Sequence, residues 1–247
     1  MKTLMINASP KRITSASRYF LWLLDVMMFT RETKRIDLSG PKIYDEIFTA
    51  FNEIEALVIA LPVYVDGVPS HVLNFMQAAE KYCKLNDCKF KLYVIANCGF
   101  FEPHQCRHLI NNMRSFCTSA GLEWGAGLGI GTGEMLSVLR LTPLFEFTRF
   151  ILSLPIFLLM GDFMGRLANY SWISLIINVM VYSIISLGLF YSIWKMKRII
   201  KNKETEDDFY TRITLVPRIL FTLFANGYWV IRAALHGTGF WKIYEKR

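Results

Sequence analysis

The sequence lacks the short motifs that mark the commonest metal and nucleotide sites. It contains no Cys-x-x-Cys pair, which argues against a zinc site or a compact iron–sulfur centre. Neither the GxxxxGK[ST] phosphate loop nor the GxGxxG dinucleotide fingerprint occurs. The glycines closest to such a pattern alternate with other residues, at Gly125, Gly127, Gly129, Gly131 and Gly133. The sequence therefore points away from P-loop, zinc and compact iron–sulfur proteins.

Signs of secretion are missing as well. The chain has five cysteines, an odd number without close pairs, so we do not expect a disulfide framework. We interpret them as reduced thiols; they are Cys83, Cys88, Cys98, Cys106 and Cys117. The first residues, MKTLMINASPKR, contain an apolar run too short for a signal peptide. We therefore expect the N-terminal part of the chain to lie in the cytoplasm.

What the chain has in excess is apolar composition. Its hydrophobic fraction is 53% and its mean hydropathy is +0.30, whereas soluble proteins average about 45–50% apolar residues. The net charge is +8, and basic residues concentrate between Lys195 and Lys203, directly after a long apolar segment. A basic run in that position favours an anionic membrane surface over a nucleic acid. We therefore predict membrane lipid as a partner and no nucleic acid.

Two apolar segments lie in the second half of the chain. Residues 171–194 carry no charge and are long enough to cross a hydrocarbon core of about 30 Å, which predicts a transmembrane helix; the alternative is a helix buried in a dimer. The basic run that follows should face the cytoplasm, as should the N-terminal part. Residues 141–200 are therefore predicted to form an apolar hairpin whose first arm is 141–164. Alternatively, that arm lies in the membrane interface or is the fifth helix of the preceding domain.

The remaining segments flank this region. Residues 201–247 combine a polar linker at Lys203–Asp208 with an amphipathic helix at Phe209–Leu235. Residues 1–140 alternate between short apolar strands and amphipathic helices. The predicted strands are Thr3–Asn7, Lys34–Leu38, Ala56–Leu61, Phe90–Ala96 and Trp124–Gly131. This alternation predicts an α/β domain with a doubly wound five-stranded parallel sheet, whose ligand should lie beyond the carboxyl ends of the strands.

The loop after the first strand, Asn7–Ser17, is suited to a phosphate. The start of the next helix offers unpaired backbone N–H groups and the positive end of the helix dipole. Lys11 or Arg12 can add positive charge, and four hydroxyl groups can donate hydrogen bonds: those of Ser9, Thr14, Ser15 and Ser17. The alternative is an ordinary helix cap in a polar loop.

The loop after the third strand is suited to a flat aromatic ring. It comprises Pro62, Val63, Tyr64, Val65, Asp66 and Gly67. Gly67 allows close approach of the backbone, and Tyr64 offers a stacking surface. The alternative is a plain junction between strand and helix, in which the nearby His71 is a surface residue rather than a proton donor.

The loop after the fourth strand would close the other side of such a ring. Its candidate binding residues are Asn97, Cys98, Gly99, Phe100 and Glu102. Cys98 is a potential nucleophile, but no paired base is evident. His104 and His108 follow closely and are equally compatible with a helix surface.

These segments together resemble a known family. NASPKRITSAS, LPVYVDGVPSH, VIANCGFFE and WGAGLGIGTGE occur in the order of the corresponding segments of the NAD(P)H-dependent FMN reductases, a group within the flavodoxin-like superfamily. The resemblance implies bound FMN, held by the three loops above, with NADPH or NADH as transient electron donor. It also implies a homodimer and an enzyme without catalytic side chains of its own, since the cofactor carries the chemistry.

The apolar second half departs from that family pattern. It makes a quinone, a flavin or another small molecule at the membrane the expected electron acceptor, with the flavin domain on the cytoplasmic side. Two alternatives remain open. One is an FMN-binding electron carrier or redox sensor without NAD(P)H turnover, and the other is a membrane interaction protein that keeps the fold without the cofactor.

Overall fold

The computed structural model describes residues 2–11, 15–29, 32–64, 67–133, 136, 155, 158–159, 186–213 and 217–235. The chain divides into two compact units, Met1–Thr214 and Leu215–Arg247. The described part of the second unit contains one helix, Arg218–Leu235. The predicted helix in this region began at Phe209, so the observed helix begins later and ends where expected.

The first unit is built on a parallel sheet. Its strands are β1 (Thr3–Asn7), β2 (Thr33–Asp37), β3 (Ala56–Pro62), β4 (Lys91–Asn97), β5 (Glu123–Gly131) and β6 (Phe209–Arg212). They lie in the order β2-β1-β3-β4-β5-β6, and every neighbouring pair is parallel. The order of the first five strands is that of flavodoxin-like folds. The predicted doubly wound parallel sheet is therefore confirmed, and its order reverses between β1 and β3.

Helices cover both faces of this sheet. On one face lie α1 (Ala16–Met28) and α5 (Leu187–Lys201); on the other lie α2 (Tyr44–Phe51), α3 (Ser70–Asn86) and α4 (Arg107–Ser119). Alternation along β1 shows the division, because Leu4 and Ile6 join the α2–α4 core whereas Met5 joins the α1 and α5 core. Strands buried on both faces need apolar residues at every position, which explains the continuous runs in β1, β3 and β4.

Helix α5 differs from the sequence-based expectation. It begins at Leu187, within the predicted transmembrane segment 171–194, and buries Leu189, Ile193 and Met196 against the sheet and α1. It thus occupies the place of the fifth domain helix, for which the sequence offered 141–164. Among the described residues, no helix is both long and apolar enough to span a membrane. The predicted transmembrane helix 171–194 is therefore wrong over residues 187–194, which pack on the sheet. Residues 171–185 and most of the predicted first arm lie outside the described residues, so a hairpin there stays a prediction.

The basic run after this segment has acidic partners. Lys195 Nζ lies 2.7 Å from the Glu206 carboxylate, and Arg198 lies 3.4 Å from the same group. Lys203 Nζ lies 2.7 Å from Glu55. These ion pairs lower the pKa of Glu206 and of Glu55, chiefly through the hydrogen bonds from Lys195 and Lys203 respectively. Part of the positive charge that suggested a membrane surface is therefore neutralised within the fold.

Strand β6 is the element that the sequence did not predict. Residues 209–212 were expected to begin a helix, but they pair in parallel with β5 over Leu128–Gly131. The glycines of β5 make room for this addition: a Cβ at Gly129 would lie 2.5 Å from the Tyr210 ring, and one at Gly127 would lie 2.8 Å from the Asp208 carboxylate.

Asp208 anchors the segment that leads into β6. Its carboxylate accepts a hydrogen bond of 2.9 Å from Gly127 N and one of 2.6 Å from Arg114 Nη2. Only 11% of its side chain is exposed. The predicted polar linker 203–208 is therefore fixed to β5 and α4 at its end.

Replacing Asp208 with alanine should destabilise the first unit. The change leaves a largely buried backbone N–H without its partner, and we expect the free energy of unfolding to fall by about 1–3 kcal/mol. Asp207→Ala is the matched control because Asp207 is exposed, and its effect should stay within about 0.5 kcal/mol. Denaturant titration followed by circular dichroism measures both. Equal effects of the two substitutions would contradict the assigned role.

Candidate functional site

Three loops meet beyond the carboxyl ends of β1, β3 and β4, and Asn97 connects them. The Ser17 hydroxyl, in the first turn of α1, donates a hydrogen bond of 2.9 Å to Asn97 Oδ1. The backbone N–H of Val63, just after β3, donates one of 2.8 Å to Asn97 O. Since Asn97 is the last residue of β4, the three loops share one connecting residue at the switch point of the sheet.

The loop after β1 is rich in buried hydroxyl groups. Ser15 is the N-cap of α1, and its Oγ accepts a hydrogen bond from Arg18 N at 3.1 Å. Ser9 and Ser17 are buried beside it, although neither is the cap. Lys11 is exposed, and its N–H donates to Ser9 Oγ at 3.3 Å. The capping interpretation therefore accounts for Ser15 only; Thr14 lies outside the described residues.

Asn7 and Asp37 organise this loop, and sequence analysis did not single them out. Asn7 Oδ1 accepts hydrogen bonds from Ser9 N at 3.3 Å and from Ser15 Oγ at 3.4 Å. Its Nδ2 donates to Asp37 Oδ1 at 2.8 Å, and Arg18 lies 3.6 Å from the same carboxylate. Their positions could have indicated this role, because Asn7 and Asp37 are polar residues that lie in register at the ends of neighbouring strands.

A cleft of about 640 Å³ opens beside this loop, on the α1 side of β1 and β2. Its lining includes Asn7, Ser15, Arg18, Trp22 and Asp37. The volume lies within the range of small-molecule sites, about 300–1,000 Å³. The cleft adjoins the loop after β1, and none of its lining residues in the described part of the chain belongs to the loops after β3 and β4.

The loop after β3 forms a tight turn. Gly67 N donates to Tyr64 O at 2.9 Å, and Tyr64 N donates to Gly67 O at 3.3 Å. The residues between them, Val65 and Asp66, lie outside the described residues. Pro62 ends β3, and Tyr64 is 42% exposed, so its ring is accessible for stacking.

His71 contacts the loop after β1 and is not simply a surface residue. It lies in the first turn of α3, is half-buried, and its Nε2 is 3.1 Å from Ala8 O. This contact joins α3 to the loop after β1. His71 is therefore a positioning residue for the junction of the first and second loops.

The loop after β4 is supported by the glycine-rich end of β5. Gly133 N donates to Cys98 O at 2.8 Å, and Thr132 N donates to Phe100 O at 2.6 Å. A Cβ at Gly133 would lie only 2.8 Å from Cys98 O, so this approach requires glycine. Gly99 and Phe100 are exposed, with Phe100 at 60%. The loop thus presents one aromatic ring outward on a fixed backbone.

The remaining candidates in and after this loop differ in how far they are exposed to solvent. Cys98 is buried and Glu102 is partly buried. A hydrogen bond from the Cys106 thiol outweighs burial and lowers the pKa of Cys98. The His104 ring stacks on Tyr210 at a centroid distance of 4.4 Å, and His108 is exposed on α4. His104 and His108 therefore lie on the surface, which is one of the two interpretations that the sequence allowed.

The donor set fits a phosphate ester attached to a flat ring. Buried hydroxyl groups at a helix N-terminus are suited to the phosphate, because they and the first N–H groups of the helix can donate to one anion. Tyr64 and Phe100 present exposed rings on the two neighbouring loops. The structure thus brings the described candidates of all three loops to one edge of the sheet.

Comparison with protein-family models and with curated protein sequences gave no match. Several solved structures are similar in fold. The Trp repressor binding protein of Bacillus subtilis has a TM-score of 0.44 and 17% identity, over 53% of this chain and 84% of that chain. An NADPH-quinone reductase from P. pentosaceus has a TM-score of 0.44 and 12% identity, over 53% and 86%. FMN-bound flavodoxin of Fusobacterium nucleatum has a TM-score of 0.38 and 16% identity, over 50% and 69%.

A double-mutant cycle tests the connection through Asn97. Ser17→Ala and Asn97→Ala each break the same buried hydrogen bond, so we expect a coupling energy of about 0.5–1.5 kcal/mol in the free energy of unfolding. Ser39→Ala, at an exposed position, serves as control, and its effect should add to that of Asn97→Ala within about 0.5 kcal/mol. Strict additivity of Ser17→Ala and Asn97→Ala would show that the bond does not link the two loops in solution.

Proposed function

We propose that this chain is an FMN-dependent NAD(P)H oxidoreductase that passes electrons through the flavin to a quinone, a flavin or another small acceptor. The observation that carries the proposal is the hydrogen bond between Ser17 and Asn97. It joins a buried, serine-rich helix start to the end of β4 across the switch point, where flavodoxin-like sheets hold their ligands. The family resemblance of the three loops supports the same assignment.

The phosphate of FMN would be held by Ser9, Ser15 and Ser17 with the start of α1. Ser15 remains the cap of α1 while its loop faces the anion, and the helix dipole adds attraction. Lys11 and Thr14 are further candidate contacts. Asn7 orients this group, because its amide oxygen accepts from both Ser9 and Ser15.

The flavin ring would lie between the second and third loops. Its candidate contacts are Pro62, Val63, Tyr64, Val65, Asp66 and Gly67 on one side, and Asn97, Cys98, Gly99, Phe100 and Glu102 on the other. Bound flavin supplies hydride acceptance from NADPH or NADH and onward electron transfer. The protein's part is to hold the ring against a fixed backbone and to shield its faces with Tyr64 and Phe100.

We further propose that the protein is attached to a membrane and forms a homodimer. Membrane association, with the flavin domain on the cytoplasmic side, is proposed from the apolar composition of residues 141–185 alone, because residues 187–194 of the predicted span belong to α5. Dimerisation rests on the family resemblance. The second candidate function, an FMN-binding electron carrier or redox sensor, is favoured by the same three loops but requires no site for nicotinamide.

The absorbance spectrum of the full chain, purified in mild detergent, tests the function directly. We expect a yellow protein with flavin absorbance that bleaches on anaerobic addition of NADPH or NADH, because the nicotinamide reduces the ring. Flavin absorbance without bleaching would favour the electron carrier. A colourless protein that takes up no added FMN would overturn both and favour an interaction protein.

Ser15→Asp tests the phosphate site. Aspartate is itself a good N-cap, so α1 should persist, whereas its charge should repel the phosphate. Two like charges about 4 Å apart near a protein surface repel by about 4 kcal/mol, so FMN affinity should fall by at least about a hundredfold. Ser115→Asp places the same charge on the exposed side of α4 and should leave affinity unchanged. FMN fluorescence titration gives both values; unchanged binding by Ser15→Asp would remove this loop from the site.

A further inference from the structure

The outward side of α5 is apolar over its first half and basic over its second half. Exposed residues recur there every three or four positions and therefore lie along one face of the helix; the α5 stripe comprises Leu187, Tyr191, Trp194, Arg198 and Lys201. Leu187, Tyr191 and Trp194 are 55%, 64% and 46% exposed. A helix that packs on a sheet normally places polar residues on its outer side, so the apolar half of the stripe points to a partner that covers it.

The contacts at the end of α5 show how the helix runs relative to the sheet. Lys203 Nζ lies 2.7 Å from the carboxylate of Glu55, just before β3, and Lys91 Nζ, at the start of β4, donates to Lys203 O at 2.8 Å. The residues after α5 therefore lie at the amino ends of the strands. Helix α5 packs against β5 and has 15 residues, so it extends for about 20 Å, which is about the length of β4. Its start at Leu187 consequently lies toward the carboxyl edge of the sheet, where the three loops of the candidate site meet.

The second half of the stripe keeps a surplus of positive charge. Helix α5 contains four basic residues and no acidic residue. Glu206 lies 2.7 Å from Lys195 and 3.4 Å from Arg198, and its single charge can offset only one of the four. Within the part of the chain that the structure describes, Lys197 and Lys201 form no ion pair. The partner of the stripe must therefore accept apolar side chains at one end and positive charge at the other.

An anionic lipid bilayer meets both demands. Tryptophan and tyrosine prefer the boundary between hydrocarbon and headgroups, where the ring and its polar group are both satisfied. Lysine and arginine are attracted to negatively charged headgroups. The sequence directly before α5, residues 171–186, carries no charge, so the apolar character begins before the helix. A second copy of the chain fits less well, because the stripe has no acidic residue to meet its own basic half.

We propose that the α5 stripe docks on the surface of an anionic bilayer. With the helix inclined to the membrane, the apolar half enters the interfacial layer and the basic half contacts the headgroups. Because α5 starts at the carboxyl edge of the sheet, docking brings the candidate site close to the bilayer, from which a lipid-soluble electron acceptor can reach it. This inference rests on the proposed membrane attachment and adds which described surface makes the contact.

A fluorescent probe on the stripe tests the contact. Tyr191→Cys in the full chain is labelled with the polarity-sensitive dye NBD, which reaches the introduced thiol because the five native cysteines are buried. The labelled protein is moved from mild detergent into phosphatidylcholine vesicles with or without about 30% phosphatidylglycerol. In the anionic vesicles we expect emission at shorter wavelength and strong quenching by nitroxide-labelled lipid. Ser115→Cys, exposed on α4 at the opposite face of the sheet, is the matched control and should keep aqueous emission.

The outcomes separate this inference from the membrane attachment on which it rests. If the chain floats with the vesicles while the probe at position 191 stays aqueous, another segment attaches the protein and the α5 stripe is not the docking surface. If the chain floats with no vesicle, the attachment itself is overturned as well. A probe that is already shifted in detergent, and more so at higher protein concentration, would show that a second copy covers the stripe. Leu187→Cys repeats the measurement if Tyr191→Cys does not fold, as judged by circular dichroism.

Removal of positive charge tests the basic half of the stripe. Lys197→Gln with Lys201→Gln should lower the quenching of the probe in anionic vesicles toward the level in phosphatidylcholine alone, because each lysine near an anionic surface contributes about a fivefold change in binding. Lys81→Gln with Lys84→Gln removes the same charge from exposed positions of α3, on the opposite face, and should leave the quenching unchanged. Equal quenching in the two double variants would contradict the role of the basic half.

Discussion

Close approach of other elements to one face of β5 is the constraint on which the candidate site depends. A Cβ at Gly127 would lie 2.6 Å from the Ile110 side chain of α4, and one at Gly131 would lie 3.0 Å from Phe101 O. Any side chain at these positions would push α4 and the loop after β4 away from the sheet. The backbone hydrogen bonds that fix Cys98 and Phe100 would then be out of reach. The alternating glycines that give no nucleotide motif thus have a structural purpose.

Two buried asparagines at strand ends hold the polar groups of the candidate site in place. Asn7 and Asn97 are both buried, and each uses its side-chain amide to join segments that are distant in sequence. A buried amide without partners would be costly, so the surrounding hydroxyl and carboxylate groups are held in defined positions. The serines of the first loop consequently owe their arrangement to the strand ends as much as to the helix that they begin.

Sequence patterns predicted the parts of this fold that depend on local apolar content. The runs in β1, β3 and β4 were recognisable because strands covered on both faces are apolar throughout. Strand β6 was missed because Phe209–Arg212 is short, only partly buried and directly followed by helix-compatible residues. Helix α5 was obscured since the apolar stretch before Leu187 has the same composition as its buried face, and periodicity cannot separate them.

The candidate site could be predicted from the sequence only in part, because some of its contacts depend on strand register and on loop packing. Residues that follow a strand could be placed at one sheet edge from topology, which located Ser9, Tyr64 and Phe100. The partnership of Asn7 with Asp37 depends on the register of β1 and β2, and the hydrogen bonds that hold Cys98 and Phe100 depend on the path of the chain after β5. Neither leaves a spacing motif in the sequence.

The edges of the described sheet bear on how this protein behaves at high concentration. Strand β2 forms one edge, and its Lys34 and Arg35 are exposed, with ion pairs to Glu46 and Asp25. Strand β6 forms the other edge and is only 4 residues long. Charge on one edge and brevity on the other discourage strands of separate molecules from pairing. In adding β6, the chain thus covers part of the longer, glycine-rich β5 with a short edge strand that offers few free hydrogen-bonding groups.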